Sequence, residues 1–391
     1  MPLEAVKKHM EGSDVKQKLA SLYPKGIMVD ENNWGDYLKK FSNITSVIPS
    51  KEFWSGRKVL VTGVGGFLGP NLAKMLIDFN ANVNGVVLNR DMSKYPNVSD
   101  LRDSMKVYVC NLIDYSHVSE VIKEVKPEFI FHYAAMSFVP TSLVEPAAVL
   151  QNNIISTVNI LHAVARHGKD NISKIFTALS SEQYGFVRSS DELPLKETSD
   201  QRPESAYAVS KIATEKVGES YYYNDLLPVL RIRSFNQEGV GDMKLWKRAR
   251  DERFFTMTVA KQIAEFMKGK RNSIVIQNPN ALRDFIDVND SIAAHIIAAE
   301  KVEPNEPYNV CSSHGILTGD FAVIAGKLFG IPEDKILVNT DAIRSYEKHT
   351  TAIHGFIGDN SKLTERIGWR PTRTLENIIR NAVEFQMRKM G

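Results

Sequence analysis

The chain has 391 residues, of which 43% are apolar and 24% are charged, and its formal net charge is +3. This mix is typical of a globular protein with a core, and the small net charge argues against nucleic acid or an anionic membrane as a partner. With only two cysteines, Cys110 and Cys311, a disulfide framework is not expected. The first residues lack the apolar segment of a signal peptide, and no apolar run approaches a membrane span. We expect a soluble cytoplasmic protein without a metal ion.

Residues 1–50 differ from the rest of the chain and carry no recognisable chemistry. Asp30-Glu31-Asn32-Asn33, followed by Trp34, Tyr37 and Leu38, predicts a short capped helix. We expect an N-terminal helical arm that packs on the body of the protein or on a partner subunit. A role in covering the substrate is the alternative.

From Lys58 onward, short β-branched runs alternate with amphipathic stretches, a pattern typical of βαβ units and a parallel sheet. We predict an α/β fold: a Rossmann-type doubly wound sheet over residues 51–235, and a smaller C-terminal lobe over 236–391, partly interleaved with it. The lobe should cover the carboxyl ends of the strands, where open α/β sheets bind ligands. The runs that predict strands are Val59–Val61, Val83–Leu88, Val107–Val109, Phe129–Phe131, Ile175–Phe176 and Val229–Leu230. Thr256–Lys268 predicts a helix in the lobe.

A glycine-rich loop follows the first predicted strand and opens a helix. Gly63, Gly66 and Gly69 have the spacing G-x-x-G-x-x-G. These glycines permit a tight turn, close approach of the backbone to a pyrophosphate, and close packing of helix on strand. The loop, with Phe67 and Leu68 at the start of the helix, predicts a dinucleotide site.

The end of the second predicted strand bears on the choice of dinucleotide. An Asp or Glu there would accept a hydrogen bond from the 2′-hydroxyl of NAD, but Leu88-Asn89-Arg90 supplies no carboxylate. Arg90 could pair with the 2′-phosphate of NADP instead, or lie in a solvated loop. We expect NAD(P) as cofactor, with NADP slightly favoured.

Tyr207 and Lys211 lie four residues apart, so on a helix they share one face. A lysine ammonium near a phenol stabilises the phenolate, which can then take a hydroxyl proton as hydride leaves for a nicotinamide. The pair follows the fifth predicted strand of a dinucleotide fold, and this position makes it a specific indication of a catalytic role. Both residues are expected to contact the cofactor.

The fifth and fourth predicted strands end in further candidates. Ser180 could hydrogen-bond the same substrate hydroxyl as Tyr207. Glu182 could abstract a carbon-bound proton beside a ketone, or could only cap a helix. In His132-Tyr133-Ala134-Ala135, the small residues, Ala134 among them, would let the backbone approach the cofactor or would only pack closely.

Together these residues resemble the extended short-chain dehydrogenases/reductases, the NAD-dependent epimerase/dehydratase family, from about Phe53 to Phe385. The segment from Ser180 onward is similar to GDP-mannose 4,6-dehydratases and GDP-4-keto-6-deoxymannose reductases, and residues 53–58 look more like CDP-glucose 4,6-dehydratases. The matching motifs are T-G-x-x-G-x-x-G at 62–69, H-Y-A-A at 132–135, S-S-E-Q-Y-G at 180–185, Y-A-V-S-K at 207–211, R-I-R-S-F-N at 231–236, R-D-F-I-D-V-N-D at 283–290, Y-N-V at 308–310, G-D-N-S-K-L at 358–363 and G-W-R-P at 368–371.

The resemblance implies roles for particular residues. It makes Ser180, Tyr207 and Lys211 the catalytic set, and it implies that Asn153 supports the active site on the substrate side. It implies contacts to a substrate diphosphate from further residues, which are Asn236, Arg283 and, less closely matched, Arg344.

The sequence also departs from the family pattern. Asn111-Leu112 replaces the usual Asp-Leu or Asp-Ile pair at the adenine of the cofactor. Glu238-Gly239-Val240-Gly241 replaces a sugar-binding Gly-Pro, which leaves the sugar open. The basic stretch Lys244–Arg250 that follows could clamp an anionic substrate, or could be a solvated loop.

The leading hypothesis is a nucleoside diphosphate (NDP)-hexose 4,6-dehydratase that works through a 4-keto intermediate. The alternatives are an NDP-4-keto-sugar reductase, or a 4-epimerase or dehydrogenase on an NDP-sugar. A more remote alternative is a cofactor-sensing binding protein without turnover, although it would be expected to have lost Tyr207 or Lys211. We expect an NDP-sugar as the partner molecule, and a homodimer or homotetramer.

Overall fold

The computed structural model describes residues 27–42, 44–242, 247–304, 306–339 and 355–391. Its centre is a seven-stranded parallel sheet made of β1 (Lys58–Thr62), β2 (Asn82–Val87), β3 (Lys106–Val109), β4 (Phe129–His132), β5 (Lys174–Ser180), β6 (Val229–Ser234) and β7 (Pro307–Val310). The strand order is β7-β6-β5-β4-β1-β2-β3, and every neighbouring pair is parallel. The predicted Rossmann-type α/β fold is thus confirmed.

The helices cover both faces of this sheet and build the smaller lobe. The α-helices are α1 (Trp34–Phe41), α2 (Lys51–Trp54), α3 (Leu68–Asp78), α4 (Tyr115–Val125), α5 (Val139–Val144), α6 (Pro146–Leu150), α7 (Ser156–His167), α8 (Ala206–Asp225), α9 (Phe255–Met267), α10 (Val288–Lys301), α11 (Thr318–Leu328), α12 (Ser361–Ile367) and α13 (Leu375–Lys389). A π-helical turn, Gln151–Ile155, joins α6 to α7. Short 3-10 segments are Met92–Lys94, Pro96–Ser104, Ser181–Gln183, Ser190–Glu192 and Glu333–Lys335.

Successive side chains along a strand point to opposite faces of the sheet, and here both faces are covered by apolar cores. In β1, Val59 and Val61 pack into one apolar core, whereas Leu60 packs into the core on the opposite face with Ile130 and Ile175. A strand covered on both faces tends to form a near-continuous apolar run. This requirement accounts for the continuous apolar runs that predicted the strands.

The order of the strands also fixes where a ligand can bind. From β1, the chain first builds outward through β2 and β3, and then returns to place β4 on the other side of β1. The connections therefore diverge at the carboxyl ends of β1 and β4 and leave a crevice there.

The C-terminal lobe is built from short strands and from α9, α11 and α13, which share one apolar core. Its strands are Asn236–Glu238, Val240–Asp242, Lys247–Ala249, Ile274–Ile276, Leu282–Arg283, Phe285–Asp287, Gly315–Leu317 and Ile336–Val338. The chain also returns to the large sheet after residue 236, because α10 packs into its core and β7 forms its edge.

The described part of the N-terminal arm lies on the C-terminal lobe. The strand Met28–Val29 pairs in parallel with Gly315–Ile316, and the hydroxyl of Tyr37 accepts a hydrogen bond of 2.8 Å from the backbone of Leu375. The short helix expected here is α1, although Asn33 makes no side-chain capping bond. Residues 1–26 lie outside the described part of the chain.

Two predicted boundaries shift by a residue or more. The second strand ends at Val87, and Leu88 is 66% exposed at the cavity mouth. The helix predicted from Thr256 to Lys268 runs from Phe255 to Met267. Among the described residues, no helix has the length and apolar character needed to cross a membrane.

Candidate active site

A cavity of about 980 Å³ opens at the carboxyl ends of the sheet strands, between the sheet and the C-terminal lobe. It brings together most of the residues that the sequence singled out. The predicted site residues that line it are Gly63, Gly66, Phe67, Leu68, Gly69, Asn111, Leu112, Ala134, Ser180, Glu182, Tyr207, Lys211, Asn236 and Arg283.

The glycine-rich loop needs glycine at both of its ends. Gly63 has φ +74°, and a Cβ there would lie 2.8 Å from the backbone nitrogen of Ala134. A Cβ on Gly69 would lie 2.5 Å from the carbonyl oxygen of Gly63. The loop can therefore turn tightly from β1 into α3 only with these residues.

The N-terminus of α3 is open towards the cavity. Its N-cap residue, Phe67, makes no side-chain capping bond, and its first turn contains no acidic residue. Phe67, Leu68 and Gly69 all line the cavity. Unsatisfied N–H groups at a helix N-terminus, with the favourable end of the helix dipole, attract a phosphate.

At the far end of the cavity, beside β2 and β3, the residues expected at the adenine line the cavity, whereas the residue expected at the ribose does not. Asn111 and Leu112 line the cavity, and Oδ1 of Asn111 accepts a hydrogen bond of 3.3 Å from the backbone of Ile113. Arg90 is exposed beyond the end of β2 and does not line the cavity. Tyr95, which the sequence did not single out, lies against Gly65, and its hydroxyl accepts a hydrogen bond of 2.9 Å from the Asn89 backbone.

Tyr207 and Lys211 lie on one face of α8, and both are buried. Nζ of Lys211 lies 5.7 Å from the centre of the Tyr207 ring. Burial raises the pKa of Tyr207 to about 12; a hydrogen bond with Ser180 opposes this rise, the charge of Glu182 adds to it, and that of Arg250 opposes it. Burial lowers the pKa of Lys211 to about 8. At neutral pH the lysine is therefore charged, and its charge can stabilise the phenolate.

Ser180 ends β5 and joins the two halves of the site. Its hydroxyl accepts a hydrogen bond of 3.2 Å from the backbone of Glu182 and also hydrogen-bonds with Tyr207. The turn Ser181–Gln183 then carries Glu182, partly buried, into the cavity wall. One short segment thus places a hydroxyl and a carboxylate beside the buried phenol.

Asn153, which was expected on the substrate side of the site, lies buried behind the cavity wall. It is only 2% exposed and is not among the cavity-lining residues. Its Oδ1 accepts a hydrogen bond of 2.8 Å from the backbone of Met136, and its Nδ2 donates to the Met136 carbonyl at 3.2 Å and to Ser210 at 2.9 Å. This placement makes Asn153 a residue that holds the loop after β4 against α8, rather than one that touches a ligand.

On the lobe side, Asn236 and Arg283 line the cavity. The buried Oδ1 of Asn236 has no hydrogen-bond partner among the described residues, and Nη1 of Arg283 donates to the Leu282 carbonyl at 2.8 Å. Both residues thus lie on the lobe-side wall of the cavity. The third expected contact, Arg344, lies outside the described residues.

The arginines of the basic stretch Lys244–Arg250 differ in their surroundings. Arg248 is 1% exposed and forms an ion pair with Asp100, so it cannot clamp a ligand as the sequence suggested. Arg250 lines the cavity; its guanidinium lies 3.7 Å from the centre of the Phe254 ring and 5.4 Å from that of Phe67. Lys244, Leu245 and Trp246 lie outside the described residues.

Glu238, the first residue of the departure from the Gly-Pro pattern, also lies in the cavity wall. It is 2% exposed, and its carboxylate accepts a hydrogen bond of 2.5 Å from Thr256 and lies 3.9 Å from Nε of Arg250. Burial raises the pKa of this carboxyl group. A buried carboxylate thus balances the arginine at this wall.

The residues present fit a dinucleotide. The open helix N-terminus suits a diphosphate, and the cavity runs from there past the ends of β2 and β3 in one direction and to Tyr207 in the other. Among the described residues, no group of three or more His, Cys, Asp or Glu side chains could hold a metal ion.

Comparisons with known proteins identify the family of the chain. A family model described as GDP-mannose 4,6 dehydratase matches residues 60–382. GDP-mannose 4,6-dehydratase of Yersinia enterocolitica is 24% identical over 352 residues, covering 82% of this chain and 91% of that protein. GDP-6-deoxy-D-mannose reductase of Pseudomonas aeruginosa is 28% identical over 256 residues, covering 65% of this chain and 78% of that protein. The structure of RMD from Pseudomonas aeruginosa complexed with NADPH superposes with a TM-score of 0.70 at 23% identity, over 85% of this chain and 99% of that one, which supports the fold.

The fold and the comparisons define the class as the extended short-chain dehydrogenases/reductases, as the motifs predicted. Because the family model matches more than half of the sequence, the chain belongs to the GDP-mannose 4,6-dehydratase family. The family comprises NAD(P)-dependent enzymes that modify nucleotide sugars.

Proposed function

We propose that this protein is an NDP-hexose 4,6-dehydratase that works through a 4-keto intermediate. The observation that carries the proposal is the turn after β5, which places Glu182 in the cavity wall directly beside the Ser180–Tyr207 hydrogen bond. Oxidation at C4 by NAD(P)⁺ needs only the serine, tyrosine and lysine from the protein. Water loss needs an additional base for the C5 proton, and a carboxylate in this position supplies it.

The glycine-rich loop, Ala134 and the uncapped start of α3 would hold a dinucleotide, with Asn111 and Leu112 at its adenine. NAD(P)⁺ supplies a hydride acceptor at C4 of the sugar and, once reduced, a hydride donor to C6. NADP is favoured slightly because β2 is followed by Arg90 rather than by a carboxylate.

Tyr207 acts as the base at O4 of the sugar. Its phenolate takes the O4 proton while the C4–H bond breaks, and the charged Lys211 stabilises that phenolate. Ser180 donates to the same sugar oxygen and so orients the hydroxyl. Burial of all three groups excludes water, which strengthens these electrostatic effects.

The C4 ketone acidifies the C5 proton, and Glu182 removes it. The hydroxyl at C6 then leaves as water with a proton delivered from the protonated Glu182, which gives a double bond between C5 and C6. Hydride addition at C6, and return of a proton to C5 from Glu182 after solvent has reprotonated it, complete a 4-keto-6-deoxy sugar, while Tyr207 releases the O4 proton to solvent. The sum of the steps is loss of one water, with no net oxidation.

Asn236 and Arg283 would hold the substrate diphosphate, with Arg344 as a third contact and Asn153 in a supporting role beneath the site. Support comes from the position of both residues on the lobe side of the cavity, since the amide N–H of Asn236 and the guanidinium of Arg283 are both donors to phosphate oxygens. Arg250, held against Phe254, adds positive charge at the same wall. Phosphate recognition by arginine is favoured because the guanidinium makes paired, charge-assisted hydrogen bonds.

A second candidate is an NDP-4-keto-sugar reductase. It is favoured by the 28% identity with GDP-6-deoxy-D-mannose reductase of Pseudomonas aeruginosa. The identity with the dehydratase of Yersinia enterocolitica is lower, at 24%, although that alignment is longer. A 4-epimerase or dehydrogenase would use the same tyrosine and lysine. A reductase has no step that needs Glu182 as a base.

Incubation with a panel of nucleoside diphosphate sugars, with and without NADPH, separates these functions. A dehydratase converts one sugar to a product lighter by one water without consuming NADPH, which mass spectrometry detects. Products that gain two hydrogens as NADPH is consumed would favour the reductase. Conversion to an isomer of unchanged mass would favour the epimerase.

A further inference from the structure

The helix that carries Tyr207 and Lys211 continues the same face with a third buried polar residue. Glu215 lies four residues beyond Lys211 and is 2% exposed. Its carboxylate is held by Arg233, whose Nε donates to Oε2 at 2.9 Å and whose Nη2 donates to Oε1 at 2.6 Å. A bidentate pair in a buried setting fixes both partners.

This ion pair is itself fixed by neighbours on other elements. Nη1 of Arg233 donates to the Tyr184 hydroxyl at 3.0 Å and to the Glu197 carbonyl at 2.9 Å. The Tyr184 hydroxyl in turn donates to Oδ1 of Asn309, on β7, at 2.7 Å. Glu215 is therefore a rigid reference point beneath the site.

Gln183 connects this reference point to the turn that carries Glu182. Its Nε2 donates to Oε2 of Glu215 at 2.6 Å, and its Oε1 accepts a hydrogen bond of 3.1 Å from the backbone of Ser180. The side chain is 0% exposed, so water cannot replace either bond. A single carboxamide thus joins the end of β5 to α8.

We propose that Gln183 is a positioning residue that sets the distance between the two halves of the catalytic machinery. One half is the turn with Ser180 and Glu182, and the other is the helix with Tyr207 and Lys211. This inference rests on the proposed function in that it takes these four residues as the reacting set. Gln183 itself does not line the cavity and acts only through Ser180 and the turn.

The physical argument concerns what happens when the amide is lost. The Ser180 N–H and Oε2 of Glu215 would each lose a buried partner, and the turn would rotate to find new ones. Because Ser180 bonds both Tyr207 and the backbone of Glu182, a rotation displaces both contacts together. Displacement by about 1 Å at a reacting group costs on the order of 100-fold in rate.

The test compares Gln183→Leu with the matched control Gln201→Leu. Nε2 of Gln201 also approaches Oε2 of Glu215, at 3.5 Å, and makes no bond to Ser180. In Gln183→Leu we expect kcat to fall about 10–100-fold, with unchanged KM for the nucleotide sugar and an affinity for NAD(P) within about twofold of the native protein, because Gln183 touches neither ligand. The control should keep native kcat.

A second variant gives a pH signature that loss of packing would not. In Gln183→Glu, two carboxyl groups face each other across the former 2.6 Å bond, and they can hold that geometry only by sharing one proton. The kcat of this variant, relative to the native enzyme, should therefore recover as the pH is lowered. A constant ratio over the pH range would overturn the proposal.

Hydrogen exchange of the ligand-free protein provides a readout that needs no substrate. The peptide spanning residues 180–184 should exchange faster in Gln183→Leu than in Gln201→Leu, while the peptides of α8 stay protected. Equal exchange of the 180–184 peptide in the two variants would overturn the inference.

Failure of this inference is distinguishable from failure of the proposed function. If the native protein shows no loss of water with any sugar, the dehydratase proposal fails, and exchange of the 180–184 peptide still decides the role of Gln183. If the native protein dehydrates a sugar and Gln183→Leu does so at the native rate, only the positioning role fails.

Discussion

Nζ of Lys211 donates a hydrogen bond of 2.7 Å to the carbonyl of Ala178, two residues before the end of β5. The bond joins α8 to the strand that carries Ser180. It holds the ammonium group beneath the Tyr207 ring, where burial lowers the pKa of Lys211 to about 8. Charge on this lysine is therefore sensitive to mildly alkaline pH.

Turnover should decline as the pH rises through about 8. The pKa of Lys211 is lowered, so the ammonium form is present below about pH 8 and is lost above it. Without that charge the Tyr207 phenolate is not stabilised. A profile of kcat against pH checks this, and Lys211→Arg, which keeps its charge, should remove the decline from whatever activity remains. A native profile that stays level to about pH 10 would be incompatible with this role for the lysine.

Tyr207→Phe should lower turnover by about 10²–10⁴-fold, the usual contribution of general acid–base catalysis. Affinity for NAD(P), measured by calorimetry, should change little because the ring and its packing remain. Tyr223→Phe is the matched control, since Tyr223 lies on the same helix and is 66% exposed. Near-native turnover in Tyr207→Phe would remove this residue from the mechanism.

Much of the fold was predictable because the central strands β1 and β4 carry apolar residues on both faces of the sheet. The runs at Val59–Val61 and Phe129–Phe131 mark their strands clearly, and the glycine spacing 63–69 places the cofactor loop. The Tyr207–Lys211 pair was predictable because helical spacing alone puts both on one face. The prediction succeeds where local pattern determines structure.

The residues that sequence could not place depend on contacts between distant segments. Asn153 turns towards the backbone of Met136, and Arg248 pairs with Asp100, so neither faces a ligand. Tyr95 reaches the cofactor loop only because a 3-10 segment folds back on Gly65. The basic stretch indicated an anion contact, and Arg250 does line the cavity. The sequence alone does not distinguish Arg250 from the buried Arg248.

Arg90 is predicted to distinguish the two dinucleotides. If its guanidinium pairs with a 2′-phosphate, Arg90→Ala should weaken NADP binding by about tenfold or more and leave NAD binding nearly unchanged. Calorimetric dissociation constants for both dinucleotides check this. Arg102→Ala serves as control, since Arg102 is also exposed but donates to the Met92 carbonyl. Equal losses for NADP and NAD would show that Arg90 does not read the phosphate.

Stability should fall as the pH is lowered from about 6.5, in part because of His132. Burial, with a contribution from the charge of Lys211, lowers the pKa of His132 to about 3. Between pH 6.5 and 3 the unfolded chain therefore binds a proton that the folded chain does not, which favours unfolding. The imidazole is held neutral between Thr62, at 2.8 Å, and Thr157, at 3.1 Å.

His132→Asn should flatten the decline in the free energy of unfolding between about pH 7 and 4, by an amount on the order of a few kcal/mol. Urea denaturation at several pH values measures it. His167→Asn, at an exposed site, should change the slope far less than His132→Asn does. The same slope in all three proteins would contradict the burial argument.

The role of Glu182 as the C5 base is tested most directly by carrying out the reaction in deuterated water. The native enzyme should place solvent deuterium at C5 of the 4-keto-6-deoxy product, because Glu182 loses its first proton to the leaving water and must be reprotonated from solvent before it returns a proton to C5. Glu182→Gln keeps the shape of the side chain and removes the base, so water loss should stop while oxidation at C4 still leaves reduced cofactor on the enzyme. Absence of deuterium at C5, or full dehydration by Glu182→Gln, would contradict the proposed mechanism.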